Sequence, residues 1–221
     1  MGNTVGRLQS LFPPHQFDVI IGSLLGDGRL ECRSIGKRHP ISARLRIHHS
    51  EKQKEYVFWK YNQLNNLVSK GPRKTKVWYD PKRDKTRYSW YFHTKTTEGF
   101  GKLHRWFYKN GQKILPENIF NFLKPKVLAV WFMDDGSNTK KSYTLSTHCF
   151  SFSEQGRIKN FLKDKYSITA TIVKDRTKYK IAVGRKEYPK LNNVIEPFII
   201  PSMNYKICNP RNDFSAQNTE R

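Results

Sequence analysis

The stretch LAVWFMDDG, residues 128–136, decides the fold, because an apolar helical run ends there in two aspartates and a glycine. The C-terminus of a helix carries a partial negative charge, so an acid at that end costs stability unless a positive group lies beside it. A proline just before the run, Pro125, is typical of the first turn of a helix, and a glycine is typical of the residue that follows one. The pattern predicts a buried helix whose acidic end requires a positive neighbour.

A second copy of this pattern occurs earlier in the chain. IIGSLLGDG, residues 20–28, is also an apolar run that closes on Asp-Gly, and it also follows proline, at Pro13 and Pro14. Asp27 of this copy corresponds to Asp135 of the other. Two such copies indicate a duplicated unit. The alternative is a single α+β domain in which the two stretches resemble each other by chance.

The segments that follow each copy repeat as well. Each motif precedes two strand-like stretches, a helix, two further strands and a closing helix. In the first half, SARLRIH (42–48) alternates strictly, and the residues from Ser50 to Gln53 have the spacing of a capping box before the middle helix. In the second half, Ser151 or Ser153 opens the middle helix. The predicted fold class is α+β, with two pseudo-symmetric αββαββ halves and a further closing helix in each.

The predicted domains follow from this repeat. The N-terminal half spans residues 13–122 and the C-terminal half spans residues 123–207. Residues 208–221 are polar and are expected to form a flexible tail.

The composition indicates a folded protein with a polyanionic partner. Lys plus Arg number 41 against 18 Asp plus Glu in 221 residues, which gives a net charge of +23. A charge this large repels itself in the compact state, so nucleic acid is the simplest reason to keep it. Aromatic residues make up 14% of the chain, whereas low-complexity basic tails are usually poor in them. No apolar run approaches the roughly 20 residues that cross a bilayer, so we expect no membrane partner.

With both motifs in view, the chain resembles the LAGLIDADG homing endonucleases of the single-chain, two-motif type. The resemblance covers about residues 15–207 and implies a monomer with saddle-shaped antiparallel sheets packed through the two motif helices. It also implies cleavage of both strands of double-stranded DNA at a long, specific site. The matching positions are Gly22, Asp27 and Gly28 in the first motif and Leu128, Ala129, Asp135 and Gly136 in the second. Small residues would let the motif helices approach closely, although plain core packing explains them equally well.

A metal-dependent site is part of what the resemblance implies. Asp27 and Asp135 would be catalytic and would ligate metal, and the helix-end carbonyls of Gly26 and Asp134 would add oxygen ligands. Hard oxygen groups of this kind suit Mg²⁺. Two or more divalent ions, with Mn²⁺ or Ca²⁺ able to substitute for binding, would activate water and stabilise the phosphate charge during hydrolysis. Either aspartate could instead cap a turn before its glycine.

Two lysines are further catalytic candidates by the same resemblance. Lys113 precedes ILP and Lys206 follows IIP, so the two are not equivalent in sequence. A cation near a scissile phosphate stabilises the charge that develops there. Among 41 basic residues, a solvated surface position is the alternative for either lysine.

The alternating strands predict a surface that lies along the major groove. Ala43, Leu45 and Ile47 would pack beneath the helices, and the polar residues between them would face nucleic acid. Many of these side chains would contact only phosphates, and a solvated strand face is the alternative for any one of them. The first half has the higher net charge, which predicts more phosphate contacts there. The predicted DNA-binding residues are Arg29, Arg33, Ser42, Arg44, Arg46, His48, Lys74, Lys76, Trp78, Arg87, Ser89, Ser137, Asn138, Lys140, Lys141, Thr144, Ser146, Lys174, Arg176, Lys178 and Lys180.

Two other functions stay open on the same scaffold. The first is an RNA maturase that helps its host intron to splice and so has intron RNA as a partner. The second is a DNA-binding regulator that does not cleave. Loss of the motif acids would favour either one, yet Asp27 and Asp135 are both present. A maturase role could coexist with cleavage. Without flanking splicing blocks, we expect an intron-encoded enzyme of an organelle or of a prokaryotic cytoplasm.

Overall fold

The computed structural model describes residues 8–32, 41–139 and 141–207. The chain divides into two units, Met1–Phe122 and Leu123–Arg221. Each unit contains one motif and one four-stranded antiparallel sheet. Arg33, Lys140 and the tail residues 208–221 lie outside the described residues, so the predictions made for them stay predictions.

The first unit begins with its motif helix and alternates strand pairs with helices. Its helices are α1 (Pro14–Leu25), α2 (Lys54–Gln63) and α3 (Glu98–Phe107), and its strands are β1 (Arg29–Glu31), β2 (Arg44–Ser50), β3 (Arg73–Asp80), β4 (Lys85–His93), β5 (Tyr108–Lys109) and β6 (Gln112–Lys113). Strands β1 to β4 form the first sheet in the order β1-β2-β4-β3. Strands β5 and β6 pair with each other in a separate hairpin.

The second unit repeats this plan. Its helices are α4 (Pro125–Asp135), α5 (Phe152–Tyr166) and α6 (Tyr188–Ile195). Its strands are β7 (Gly136–Asn138), β8 (Ser142–Leu145), β9 (Ala170–Asp175) and β10 (Lys178–Gly184). A 3-10 helix spans Pro201–Lys206. The second sheet has the order β7-β8-β10-β9, which matches the first sheet strand for strand. The predicted α+β class and element order are therefore confirmed.

Both motif helices begin at proline and are buried along most of their length. Pro14 and Pro125 lie at the first helical positions, where the missing N–H would have no partner within the helix. From Val19 to Leu25 and from Val127 to Asp134 every residue is buried. A helix that is apolar on all sides is expected in a protein interior. These runs supply much of the core of the two units.

The middle helices of the two units begin differently. Ser151 accepts a hydrogen bond from the backbone N–H of Glu154, and the Glu154 carboxylate accepts one from the N–H of Ser151, which completes a capping box. In the first unit, Ser50 precedes a short 3-10 turn and makes no side-chain cap. The capping box predicted from Ser50 to Gln53 is therefore wrong, because the 3-10 turn displaces the start of α2 to Lys54.

Strand alternation separates the buried and open faces of the first sheet as predicted. Ala43, Leu45 and Ile47 are fully buried, whereas Arg44 and Arg46 between them are half-buried. Within the described ranges, none of the helices has both the length and the apolar character needed to span a bilayer.

Candidate functional site

The first motif ends in a tight turn that presents its aspartate to solvent. Helix α1 stops at Leu25, and the N–H of Gly28 then donates to the carbonyl of Ser23 at 2.7 Å. The turn leaves Asp27 at its outside, where the side chain is 49% exposed. The carboxylate therefore lies at the helix end where backbone carbonyls lack partners within the helix.

Lys113 reaches this turn from the β5–β6 hairpin. Asn110 and Gly111 join the two strands with φ of 51° and 77°, the left-handed conformation that a two-residue hairpin of this type requires. The Lys113 ammonium donates to the carbonyl of Gly26 at 2.8 Å and to the carbonyl of Gly28 at 3.0 Å. A positive charge is thus held on the backbone on both sides of Asp27.

The second motif has a corresponding arrangement. Helix α4 runs through Asp135, which is half-buried, and Asp134 is 7% exposed. Residue Lys206 is 7% exposed, and its ammonium donates to the carbonyl of Asp134 at 2.8 Å. Asp134 and Gly26 each precede the motif aspartate, so both lysines contact the same backbone position of their motif.

The sequence difference between the two lysines does not prevent this equivalence. Lys113 lies on a strand and Lys206 ends a 3-10 helix, yet each ammonium is fixed on the carbonyl before the acid. The Asn110-Gly111 pair was the available signal for the hairpin that carries Lys113, since Asn-Gly between short strands favours a two-residue turn.

The donor groups at each motif fit a hard divalent cation. Carboxylate and carbonyl oxygens are what Mg²⁺ prefers, and this ion usually binds through one or two carboxylates while it keeps several waters. A carbonyl oxygen has two lone pairs, so a hydrogen bond from a lysine does not by itself prevent such a carbonyl from acting as a ligand. In the part of the chain that the structure describes, no group of three or more His, Cys, Asp or Glu side chains is arranged to hold a metal.

Glycine is needed at positions 28 and 136 because a side chain there would collide with the preceding helical turn, not because the backbone is left-handed. Gly136 has φ of −74°, and neither motif glycine is among the described residues with positive φ. An ideal Cβ at Gly28 would lie 2.6 Å from the carbonyl oxygen of Ser23, and one at Gly136 would lie 2.4 Å from that of Phe132. The added atom would collide because the chain folds back directly over the last helical turn.

The open face of the first sheet, the face opposite Leu45 and Ile47, is rich in arginine. Side chains directly opposite each other in an antiparallel pair share a face. Arg29 is opposite Arg46, and Arg46 is opposite His93. This face carries Arg29, Glu31, Arg44, Arg46, His48, Arg73, Thr75, Trp78, Arg87, Ser89, Tyr91 and His93. It includes most of the DNA-binding residues predicted for the first half, and Ser42 precedes it in the same alternation.

A single carboxylate organises the arginines at one end of this face. Glu31 lies 2.6 Å from Arg29, 2.9 Å from Arg44 and 3.5 Å from Arg46. Burial opposes ionisation of Glu31, but the hydrogen bonds from Arg29 and Arg44 and the charge of His93 outweigh it and lower the pKa of Glu31 to about 2. Glu31 gives no local signal in the sequence, because Arg44, Arg46 and His93 become its neighbours only through strand pairing.

Lys74 and Lys76 lie on the opposite face of the first sheet. Their pairing partners are Trp90 and Tyr88, and Lys74 forms an ion pair with Glu51 at 3.1 Å. A register shift between Lys76 and Trp78 returns Trp78 to the open face, opposite Arg87. The expectation that Lys74 and Lys76 share a face with Trp78 is wrong, because one β-bulge inverts the alternation along β3. That the two lysines bind DNA stays a prediction.

Arg73 and Thr75 take those places on the open face. Beyond the bulge, the guanidinium of Arg87 lies 5.5 Å from the ring centre of Trp78, which is 49% exposed. This distance is within the range in which a guanidinium is attracted to the face of an indole ring.

The open face of the second sheet is more neutral. Ser137 is opposite Thr144, and their hydroxyls are hydrogen-bonded at 2.7 Å. Lys178 and Lys180 lie on this face further along the sheet, and Ser146 follows Thr144 in the same alternation. These five were all predicted to bind DNA.

Four other predicted residues of the second half lie elsewhere. Asn138 is opposite Tyr143 on the helix-covered face, where it donates to the carbonyl of Ile207, and Lys174 shares that face. The register places both one residue out of phase with Ser137, and the prediction that they bind DNA stays a prediction. Lys141 lies in the loop before β8 and Arg176 in the turn between β9 and β10.

The family model described as the LAGLIDADG DNA endonuclease family matches residues 17–191. The chain belongs to this family. It is 31% identical over 208 residues to the DNA endonuclease I-ChuI of Chlamydomonas applanata, a match that covers 87% of this chain and 94% of that protein.

A second relative has a different name. The chain is 32% identical over 222 residues to the cytochrome b mRNA maturase bI2 of Saccharomyces cerevisiae, which covers 95% of this chain but 50% of the maturase. This LAGLIDADG chain thus spans half of the length of that relative.

Among solved structures, the chain resembles the homing endonuclease I-WcaI, which was determined bound to its DNA recognition sequence. The TM-score is 0.79 at 24% sequence identity, and the match covers 93% of this chain and 92% of the other. This similarity establishes the fold with its two four-stranded antiparallel sheets.

Proposed function

We propose that this LAGLIDADG protein is a monomeric, Mg²⁺-dependent endonuclease that cuts both strands of DNA at a long specific site. The observation that carries the proposal is the repeated acid and lysine pair: Lys113 on the carbonyl before Asp27, and Lys206 on the carbonyl before Asp135. Family membership and similarity to a named DNA endonuclease support it.

In this mechanism each half supplies one acid and one ammonium. Asp27 and Asp135 would offer carboxylate oxygens for the cation, with the carbonyls of Gly26 and Asp134 as further ligands. When bound, Mg²⁺ would activate water and neutralise the charge that develops on the scissile phosphate. The lysines would hold a second positive charge near that phosphate. Because their ammonium groups are already fixed on the backbone, little reorganisation is needed.

DNA recognition would use the open faces of the two sheets. The first face offers arginines that can read guanine bidentately, and the second offers hydroxyls and two lysines. Arg29, Arg46 and Arg87 are the candidates for base or phosphate contacts in the first half. The higher charge of this half supports an asymmetric target with more phosphate contacts on one side.

A cleavage assay tests the proposal. The substrate is a plasmid that carries the intron-free junction of the host gene, or a duplex selected by this protein from a randomised pool. We expect linear product with Mg²⁺, none with a chelator, and binding without cutting in Ca²⁺. Tight and specific binding without cleavage in Mg²⁺ or Mn²⁺ would contradict the endonuclease proposal and favour a regulator.

A maturase function is the second candidate, because a relative of similar identity bears that name. Splicing of the host intron in vitro, with and without the protein, tests it directly. Asp27→Asn should leave any such assistance intact while it abolishes DNA cleavage, since RNA folding assistance does not need a hydrolytic site. Assistance that disappears in the same variant would contradict a maturase role separate from the cleavage site.

A further inference from the structure

A buried histidine and a buried lysine lie behind the acid of the first motif. The Nδ1 atom of His49 is 3.5 Å from Oδ2 of Asp27, and the His49 side chain is 2% exposed. On the other side of the ring, Nε2 of His49 is 3.4 Å from the ammonium of Lys60. The three side chains form a row that runs from the exposed carboxylate into the core of the unit.

The core end of this row is enclosed by aromatic packing. Lys60 is fully buried, and its ammonium lies 4.5 Å from the ring centre of Tyr56, which is also fully buried. The rings of His49 and Tyr56 have centroids 5.2 Å apart. A lysine is almost never buried this completely without a specific reason, because desolvation of its charge is costly.

Lys60 fixes the tautomer of His49. A lysine ammonium has three N–H donors and no acceptor, so the Nε2 atom that faces it must accept. The proton of the neutral ring therefore lies on Nδ1, which points to the Asp27 carboxylate. Buried partners of this kind orient a carboxylate that ligates metal, just as outer residues orient metal-binding histidines.

The second half has a different group at the same place. Arg29 and Ser137 each lie two residues after the motif acid, and their strand-pairing partners are Arg46 and Thr144. Three residues beyond these partners lie positions 49 and 147, which are therefore equivalent. That position holds Thr147, whose hydroxyl donates to the side-chain oxygen of Gln155 at 2.9 Å.

Gln155 in turn donates to backbone carbonyls of its own unit, those of Thr147, Phe150 and Tyr179. The buried polar group of the second half is therefore neutral and ties together the backbone around it, whereas that of the first half is charged and faces the acid.

We propose that His49 and Lys60 are positioning residues for Asp27, and that they make the two strand-cutting reactions unequal. The proposal rests on the endonuclease function above. His49 holds Oδ2 of Asp27 through Nδ1–H and so fixes the direction in which the carboxylate faces cation and DNA. Lys60 keeps His49 in the donating tautomer and adds a fixed positive charge behind the carboxylate.

The first test reads the tautomer directly and needs no cleavage. Long-range ¹H–¹⁵N correlation spectra of the imidazole groups, recorded on the full chain at one neutral pH, distinguish a protonated Nδ1 from a protonated Nε2. We expect His49 to have its proton on Nδ1 and its lone pair on Nε2. Asp27→Asn should shift the Nδ1 signal and Lys60→Met should shift the Nε2 signal. A proton on Nε2, or an Nδ1 signal unmoved by Asp27→Asn, would overturn the proposal.

The second test resolves the two strands. Single-turnover cleavage of a target duplex labelled on both strands gives a rate for each, and the ratio of the two rates is the readout. Outer residues of a metal site typically change function about 10- to 100-fold, so Lys60→Met should change the ratio by about tenfold. Thr147→Val, at the place in the second half that corresponds to His49, should leave the ratio within about twofold.

The double variant His49→Leu with Lys60→Met guards against misfolding. Replacement of both polar partners by apolar groups of similar shape is often nearly neutral for stability, so this variant should fold even if Lys60→Met does not. A folded double variant with an unchanged strand ratio would overturn the proposal. If wild-type protein cuts neither strand, the endonuclease function fails, and the imidazole spectra still decide whether His49 and Lys60 position Asp27.

Discussion

The two halves of the chain share strand order and motif geometry but differ in what surrounds the motif acid. In the first half, Asp27 is exposed and backed by His49 and Lys60, and the adjacent sheet face is dominated by arginine. In the second half, Asp135 is half-buried and the sheet face near it carries hydroxyl groups. Both halves thus have a lysine on the carbonyl before the acid, carried by different elements, while the polar groups around each acid differ.

The largest expected effect concerns the anchored lysines. Lys206→Met keeps the aliphatic stem but removes the ammonium from the Asp134 carbonyl, and we expect cleavage to slow by about 10²- to 10³-fold, as when a fixed donor to a developing oxyanion is removed. Lys113→Met should lose a similar factor if the halves are equivalent. Single-turnover cleavage rates measure both.

Lys102→Met and Lys159→Met, at exposed helix positions in the two halves, are the matched controls and should cut at the wild-type rate. A folded Lys206→Met protein with wild-type cleavage would break the equivalence of the two lysines.

The motif glycines come next in expected size. Gly28→Ala and Gly136→Ala would each place a Cβ against a backbone carbonyl, and we expect each to cost about 2 to 3 kcal/mol of unfolding free energy, as overpacking does. The loss should be larger at Gly136, where the Phe132 ring also lies within 2.6 Å of the added atom. Urea unfolding of each variant measures the cost.

Gly156→Ala in α5 is the control, because an added Cβ there meets nothing within 4 Å. It should stabilise the protein by up to about 1 kcal/mol through its better helix propensity. Equal stabilities of all three variants would show that the chain does not fold back as closely as described.

The carboxylate on the first sheet gives a pH-dependent difference between the halves. The depressed pKa of Glu31 means that its ion pairs stabilise the fold above about pH 4.5 and that this contribution is lost as the pH falls toward 2. Glu31→Gln should therefore cost about 1 kcal/mol near neutral pH, since the surrounding arginines stay partly solvated, and progressively less in acid.

Asp175→Asn is the matched change on the second sheet. The hydrogen bond from Lys180 lowers the pKa of Asp175, but the carboxylate is more exposed than Glu31, so the loss should be smaller. Urea unfolding at several pH values compares the two. A Glu31→Gln penalty that is constant down to about pH 3 would contradict the role assigned to its ionised form.

The smallest expected difference lies at the middle helices. Ser151→Ala removes a complete capping box and should cost about 1 kcal/mol. Ser50→Ala, at the corresponding place in the first half, should cost little, because Ser50 makes no side-chain cap. Thermal unfolding of the two variants distinguishes them, and equal losses would mean that the halves do not differ here.

Local patterns predicted the repeat but not the details that depend on strand pairing. Two apolar runs that end in Asp-Gly, each after proline, were enough for the two motif helices and the repeat of elements after them, because burial and chain reversal leave strong local signals. The bulge in β3 leaves no local signal, so simple alternation places Lys74 and Lys76 on the same face as Trp78, which the register contradicts. The contacts of Glu31 and the row from Asp27 to Lys60 require tertiary structure, since their members are separated in sequence and share no spacing rule.

The most direct test of the central claim compares Asp27→Asn with Asp135→Asn on a specific target duplex. DNA affinity is measured in Ca²⁺ and cleavage in Mg²⁺. If each half contributes one essential acid, both variants bind with near wild-type affinity and neither yields a double-strand break. Wild-type double-strand cleavage by either variant would contradict the account.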